Sequence, residues 1–310
     1  MNPLLVRHLY GSVRRHRFFW LLTLYLLGVG ILTLSFTLIT ALSTIITRFD
    51  QTVTISMLDL FIQGRVLYWF SSVLLILTAS QLVPIGALGS LAGERDNRTL
   101  DLLVTTTLRS RDIIFGKLGA ALLTGMVYLL APLPLLMTGF WMGGVMPIEL
   151  ALTVVFLLVT MLVKISWALF LSSLVNKSIV AVLIFFGLNF AAIPVFFTGA
   201  AVFGTFYDAW YYSTTISLPV WLNGLIQYSW VILSMLNPIA AAGVTQAFGL
   251  EEGTWLILRL PVRQAYGMGG ATLGTLYLPS PWIVYTLLSL AATIFFLFFC
   301  IQHLNKPARA

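Results

Sequence analysis

Residues 66–93 read VLYWFSSVLLILTASQLVPIGALGSLAG, twenty-eight residues without a charge, and residues 94–117 that follow read ERDNRTLDLLVTTTLRSRDIIFGK. The first run exceeds the ~20 residues that a helix needs to cross hydrocarbon. It reads as a membrane span that delivers the chain into a charged turn. Taken from Gly93, that turn gathers nine charges in twenty-five residues, five basic and four acidic, in a chain whose charged residues make up only 9% of the total.

The same pattern recurs outward from this point. Uncharged runs cover Phe18 to Thr47, Leu118 to Ile148, Leu150 to Asn176 with Lys164 inside, Ser178 to Tyr207, Ala209 to Leu250 and Gln264 to Asn305. With 59% hydrophobic residues and a mean hydropathy of +0.99, a 310-residue chain has more apolar surface than a soluble fold can hide from water. The expectation is one all-α polytopic membrane domain over 1–310. Its six spans are predicted at about 18–43, 67–92, 118–140, 150–174, 179–201 and 281–302, windows bounded by charges or by Pro and Gly.

Six spans put both termini on one side. That side then carries twelve Lys and Arg: Arg7, Arg14, Arg15, Arg17, Arg95, Arg98, Arg109, Arg111, Lys117, Lys177, Lys306 and Arg309. The other side carries Arg48, Arg65, Arg259 and Arg263. An excess of Lys and Arg marks the cytoplasmic face, so the termini and the 93–117 loop are expected there, in a cell (plasma) membrane. The basic N-terminus does not read as a cleaved signal, whose apolar core is only about 7–15 residues; here the first uncharged run has 30.

Two further segments are expected to be membrane-associated. Asn2 can cap a short helix with Pro3 in its first turn. Leu5, Val6, Leu9, Tyr10 and Val13 share one arc of that helix, as suits an interfacial helix on the cytoplasmic leaflet. The outer-side segment 202–280 holds Pro219, Gly224, Gln227, Asn237 and Pro238, which break helices or demand partners in lipid. It is predicted to dip into or lie along the membrane, with Tyr207, Trp210, Tyr211, Tyr212, Trp221, Tyr228 and Trp230 at the interface.

Chemistry of its own is not evident. His8, His16 and His303 lie near the ends and are not spaced as ligands, Cys300 reads as a packing residue, and there is no G-x-x-x-x-G-K-[ST] phosphate loop. Neither a metal nor a cofactor is expected in this chain. The net charge of +7 would suggest nucleic acid in a soluble protein, but in a membrane protein its distribution over the loops gives orientation. The lipid bilayer, not nucleic acid, is the expected partner. Lys164 is the deeply placed charge. Its stem either reaches toward headgroups or lines a substrate path, and Asn189 is a second candidate for such a path, with a helix–helix hydrogen bond as the alternative. No carboxylate within a span is placed to pair with Lys164, which argues against proton antiport.

The near-balance of sign in the 93–117 loop argues for a folded element over a polybasic lipid patch. Asn97 or Thr99 can cap a helix beginning near Leu100, and Ser110 a second one leading through Ile113 and Ile114. Leu100, Leu103 and Val104 share one face, and Leu102 points away from it, flanked by Asp101, Thr105, Thr106 and Arg109.

These residues resemble the permease subunits of ABC transporters of the type-2 (ABC-2) export class. The resemblance rests on Glu94, Arg95 and Asp96 after the second span, then Thr99, Leu100, Asp101, Leu102 and Leu103, then Arg111 to Ile114 and the Gly116-Lys117 step, with the opening NPLLVRHL and the six-span layout beside them. The chain carries Arg98 where members often have glycine, Thr107 where they often have proline, and His8 where they often have an acidic residue. What the resemblance implies is a permease, as a homodimer or heterodimer, driven by a separate ABC ATPase chain that binds ATP and Mg. The 93–117 loop would be the coupling element through Glu94, Arg95, Asp96, Thr99 to Leu103, Arg109 and Lys117. It implies a prokaryotic inner membrane, an exporter and no enzyme activity in this chain. The residues themselves also leave open a secondary carrier or channel without an ATPase, and an ATPase-coupled subunit that remodels or senses; a lipid-acting enzyme is disfavoured because no His, Asp, Glu or Cys cluster shares one depth.

Overall fold

The computed structural model describes residues 16–47, 57–97, 110–213, 237–252, 255–263 and 272–305, with the short pieces 221–222, 228–229, 232 and 235. In chain order these form α1 (His16–Thr47), α2 (Met57–Leu77), a π-helical turn (Thr78–Leu82), α3 (Ile85–Asp96), α4 (Ser110–Leu130), α5 (Leu133–Trp141), α6 (Pro147–Leu174), α7 (Ser178–Ser213), α8 (Pro238–Glu252), strands β1 (Ile257–Arg263) and β2 (Thr272–Pro279), and α9 (Pro281–Asn305). Five helical stretches are long and apolar enough to cross a membrane: Phe19–Ser43, Met57–Asp96, Ser110–Trp141, Pro147–Leu174 and Pro281–Leu304. The protein is therefore a mostly helical, multi-pass membrane protein. The fifth window expected from sequence falls on α7, whose described apolar stretch is the shorter Ser178–Ala192.

The chain divides into two compact units, Met1–Ile184 with Ala292–Ala310, and Phe185–Ala291. In the first unit, α2, the π-turn and α3 form one helical rod of 40 residues, about 60 Å at 1.5 Å per residue. That is twice the ~30 Å of hydrocarbon, so the rod carries its charged ends beyond the apolar layer. The π-turn has a local cause. Pro84 offers no N–H, and in a regular helix its ring would meet the carbonyl four residues back, at Ser80. Widening the turn, with the Val83 N–H donating to the Thr78 carbonyl at 3.1 Å, moves that carbonyl aside.

Proline also divides the third apolar run. The chain turns at Ala131 and Pro132 between α4 and α5, and α5 then lies against the start of α2. Glycine makes that approach possible: a Cβ on Gly139 would stand 2.7 Å from both the Gly64 carbonyl and the Tyr68 Cβ. Small residues at helix crossings in membranes let backbones come this close. Gly139→Val is expected to cost about 1–3 kcal/mol or more by overpacking and to lower the thermal midpoint in detergent. Gly30→Val is the control, since its Cβ would meet nothing within 4 Å and its midpoint should hold.

The rest of this unit packs on α6. Its buried face runs through Phe156, Leu157, Met161, Ile165 and Leu169. The end of α9 joins it: the Phe296 ring centroid lies 4.8 Å from that of Trp167, and the buried Cys300 sulfur is 3.7 Å from the Leu169 carbonyl. Cys300 is a packing residue here. By contrast α1 is largely exposed and touches the rod chiefly through Phe36 stacked on Phe70 at 4.0 Å and through Tyr25, which donates to the Thr78 hydroxyl at 3.1 Å.

The second unit contains a β-hairpin that the helical reading did not anticipate. Strands β1 and β2 pair antiparallel, with Leu258 opposite Leu278 and Arg259 opposite Tyr277, over whose ring the guanidinium sits at 5.9 Å. Leu258 packs with Met235 and Tyr228 in a small core, and the Tyr228 hydroxyl donates to the Pro279 carbonyl at 2.8 Å. Tyr228, expected at the membrane interface, thus holds the hairpin. Asn237 and Pro238, read from sequence as breakers, start α8: the Asn237 side-chain oxygen accepts from the Ile239 N–H at 3.0 Å, with Pro238 in the first turn, as capping chemistry prescribes.

Candidate functional site

The root of the charged loop is where the first unit concentrates its polar interactions. Helix α3 ends at Asp96 and α4 begins at Ser110, with Asp112 in the first turn of α4 where the helix dipole favours a carboxylate. The loop residues Thr99, Leu100, Asp101, Leu102, Leu103 and Arg109, like the N-terminal segment with Asn2 and Pro3, lie outside the described residues.

Across this root Lys117 of α4 reaches back to α3. Its Nζ stands 2.7 Å from Glu94 Oε2 and donates to the Ser90 carbonyl, and its side chain is 3% exposed. A lysine this deeply covered is tolerated because the carboxylate offsets the charge and the carbonyl accepts a proton. The residue after Glu94, Arg95, donates through Nη1 to the Ser173 carbonyl at 2.8 Å and the Val175 carbonyl at 3.5 Å. These carbonyls sit at the C-terminal end of α6, where the last turn has no intrahelical donors and its dipole attracts a cation.

A third tie comes from α6. The Ser172 hydroxyl accepts from the Leu91 and Ala92 N–H groups at 3.2 and 2.9 Å and donates to the Leu88 carbonyl at 2.7 Å. A hydroxyl set into another helix's backbone ladder fixes both the separation and the register of the two helices. Glu94, Arg95 and Lys117, three residues expected from sequence to act together, are thus gathered here, joining α3, α4 and α6; Asp96 is exposed. Ser172 and Ser90 were not singled out from sequence, since serines in apolar helices carry no spacing signal.

A second polar cluster lies at the other end of the same helices. Arg65 Nη2 meets Glu149 Oε1 at 3.0 Å; the glutamate side chain is 3% exposed and the arginine side chain 33%. The Tyr68 hydroxyl is 3.0 Å from the Glu149 carbonyl, to which it donates, and 2.6 Å from the Thr153 hydroxyl. Arg65 and Glu149 each bound an uncharged run on the same side of the expected topology, but nothing local in the sequence pairs them.

The two candidates for a substrate path belong to different units. Lys164 is half-buried on α6 between Met161 and Ile165. Asn189 donates its side-chain amide to the Phe185 carbonyl at 2.7 Å, within α7. A cavity of about 750 Å³ opens between α1, the π-turn with α3, and α4, reaching from Lys117 to Tyr128. Among the described residues no group of three or more His, Cys, Asp or Glu side chains could hold a metal. No known protein-family model matches the chain, and no curated protein matches it.

Proposed function

We propose that the chain is the membrane-spanning subunit of an ATP-driven transporter, similar to the type-2 ABC export permeases, and that a separate ATPase chain drives it through residues 93–117. In this reading six spans place both termini and the loop in the cytoplasm of a prokaryotic cell, the inner membrane holds a dimer of permeases, and ATP and Mg are bound by the partner. The chain contributes no catalysis. It converts a push on the loop into movement of its spans.

The observation that supports the reading is the triple tie at the loop root. A loop that hung between α3 and α4 alone would absorb a push by bending. Here Lys117–Glu94 ties α4 to α3, while Arg95 and Ser172 tie α3 to α6, so force entering at 98–109 is passed to three helices together. The charged, near-neutral loop suits a protein partner, and the 60 Å rod supplies a long arm.

The test is reconstitution with the ATPase encoded beside the chain. The two proteins are expected to co-purify, and Leu102→Asp with Arg109→Glu should abolish ATP-dependent transport while membrane insertion and the thermal midpoint stay unchanged. Transport in liposomes without ATPase or ATP would overturn the proposal, as would normal coupling in the double variant.

A further inference from the structure

The cavity between α1, α3 and α4 is unused by the transport reading, and its dimensions and lining are specific. Leu21 and Leu24 of α1, Gly86 and Gly89 of α3 and Ala120 and Ala121 of α4 form its walls. Lys117 is its charged lining residue and stands at the loop end. At the far end Tyr25 and Tyr128 meet edge to face, ring centroids 5.6 Å apart. From Lys117 to Tyr128 the helix advances eleven residues, or about 16 Å. That is half of the ~30 Å hydrocarbon thickness, the depth of one leaflet.

Volume narrows the occupant further. A helix 16 Å long and about 10 Å across fills about 1,300 Å³, too much for a space of about 750 Å³. Water gains little from a lining in which leucine, valine, glycine and alanine outnumber the polar Ser90, Thr124 and the two tyrosines. Lys117 does not select a charged head: its ammonium is 3% exposed and held by Glu94 and the Ser90 carbonyl, so the apolar walls decide the occupant.

We propose that this cavity holds one acyl chain of a bilayer phospholipid. The lipid comes from the leaflet that adjoins the 93–117 loop, and its chain lies between α1 and the α3–α4 pair. Bound there, it would set the distance of α1 from the α3–α4 pair. The site is independent of the transport reading, since binding needs neither ATP nor a partner chain.

The experiment uses the full-length protein in nanodiscs containing phosphatidylglycerol with a photoreactive diazirine in its acyl chain. Crosslinks are expected on the peptides that carry Leu21, Leu24, Ala120 and Ala121. Gly86→Leu and Gly89→Leu, made separately, add side chains to the cavity wall at positions where a Cβ meets nothing within 4 Å; each should cut labelling about ten-fold at an unchanged thermal midpoint. Unchanged labelling in both filling variants would overturn the site, as would labelling confined to the exposed Trp20, Leu27 and Ile31 of α1. Preferential labelling by a free diazirine fatty acid would overturn the phospholipid as source.

Discussion

Glu94→Ala is expected to destabilise the protein by about 3–5 kcal/mol, because it leaves the Lys117 ammonium buried without its counter-charge. The Ser90 carbonyl alone would face it, and a carbonyl dipole does not replace a carboxylate at 2.7 Å. The pair itself contributes far less than this figure. Replacing both members by apolar residues of similar volume, Glu94→Leu with Lys117→Met, removes the charge and its desolvation together and should recover most of the loss. Unfolding in a detergent–denaturant titration of the two single variants and the double variant gives the coupling directly. A coupling within ~0.5 kcal/mol of zero would mean that the two groups act separately, and the loop root would then rest on Arg95 and Ser172 alone. With strong coupling, the transport reading adds a second expectation: the stable double variant inserts normally but transmits ATP-driven movement less well, because the link between α3 and α4 has lost its directional contact.

How much of this was legible in the sequence depends on what each residue had to say locally. Uncharged runs are a one-dimensional signal, and the helices α1, α2 with α3, α4 with α5, α6, α7 and α9 lie over all six expected windows. Their ends were less legible. The rod starts ten residues before the expected 67, at Met57, because a helix continues past the hydrocarbon wherever its polar residues find partners, as Arg65 does in Glu149. The π-turn and the α4–α5 break follow from Pro84 and Pro132, readable as kinks but not as to their geometry. The hairpin was missed because the strands Ile257–Arg263 and Thr272–Pro279 sit in a region read by its charge content, where alternation such as Leu258 in and Arg259 out passed unnoticed. At the loop root, Glu94, Arg95 and Lys117 were singled out through sequence proximity and a family resemblance, and they lie together. Ser172 and the Arg65–Glu149 pair depend on contacts between residues about eighty positions apart, which no local pattern encodes.

The largest effect at the opposite end should come from Arg65→Ala, again about 3–5 kcal/mol. The reasoning differs from that for Glu94, since here the more exposed partner is removed and the buried one remains. Glu149 keeps the favourable field at the start of α6, but its carboxylate loses the guanidinium at 3.0 Å while staying 3% exposed. Glu149→Gln in the Arg65→Ala background should return a large part of the stability, because a neutral amide costs less to bury and the Tyr68 bond goes to the backbone carbonyl, which the change leaves intact. Between Arg65 and Glu94 the rod holds twenty-eight residues, about 42 Å, close to the full thickness of a bilayer with its headgroups. Two sites this far apart should add in stability within ~0.5 kcal/mol if the rod is only a scaffold. A lever behaves otherwise: loosening one fulcrum changes the work done at the other. The decisive measurement is therefore the Arg65→Ala with Glu94→Ala combination, read in unfolding and in ATP-driven transport. Additive stability with a transport loss greater than the product of the single losses is what the rod must give if force entering near residue 98 leaves at Arg65.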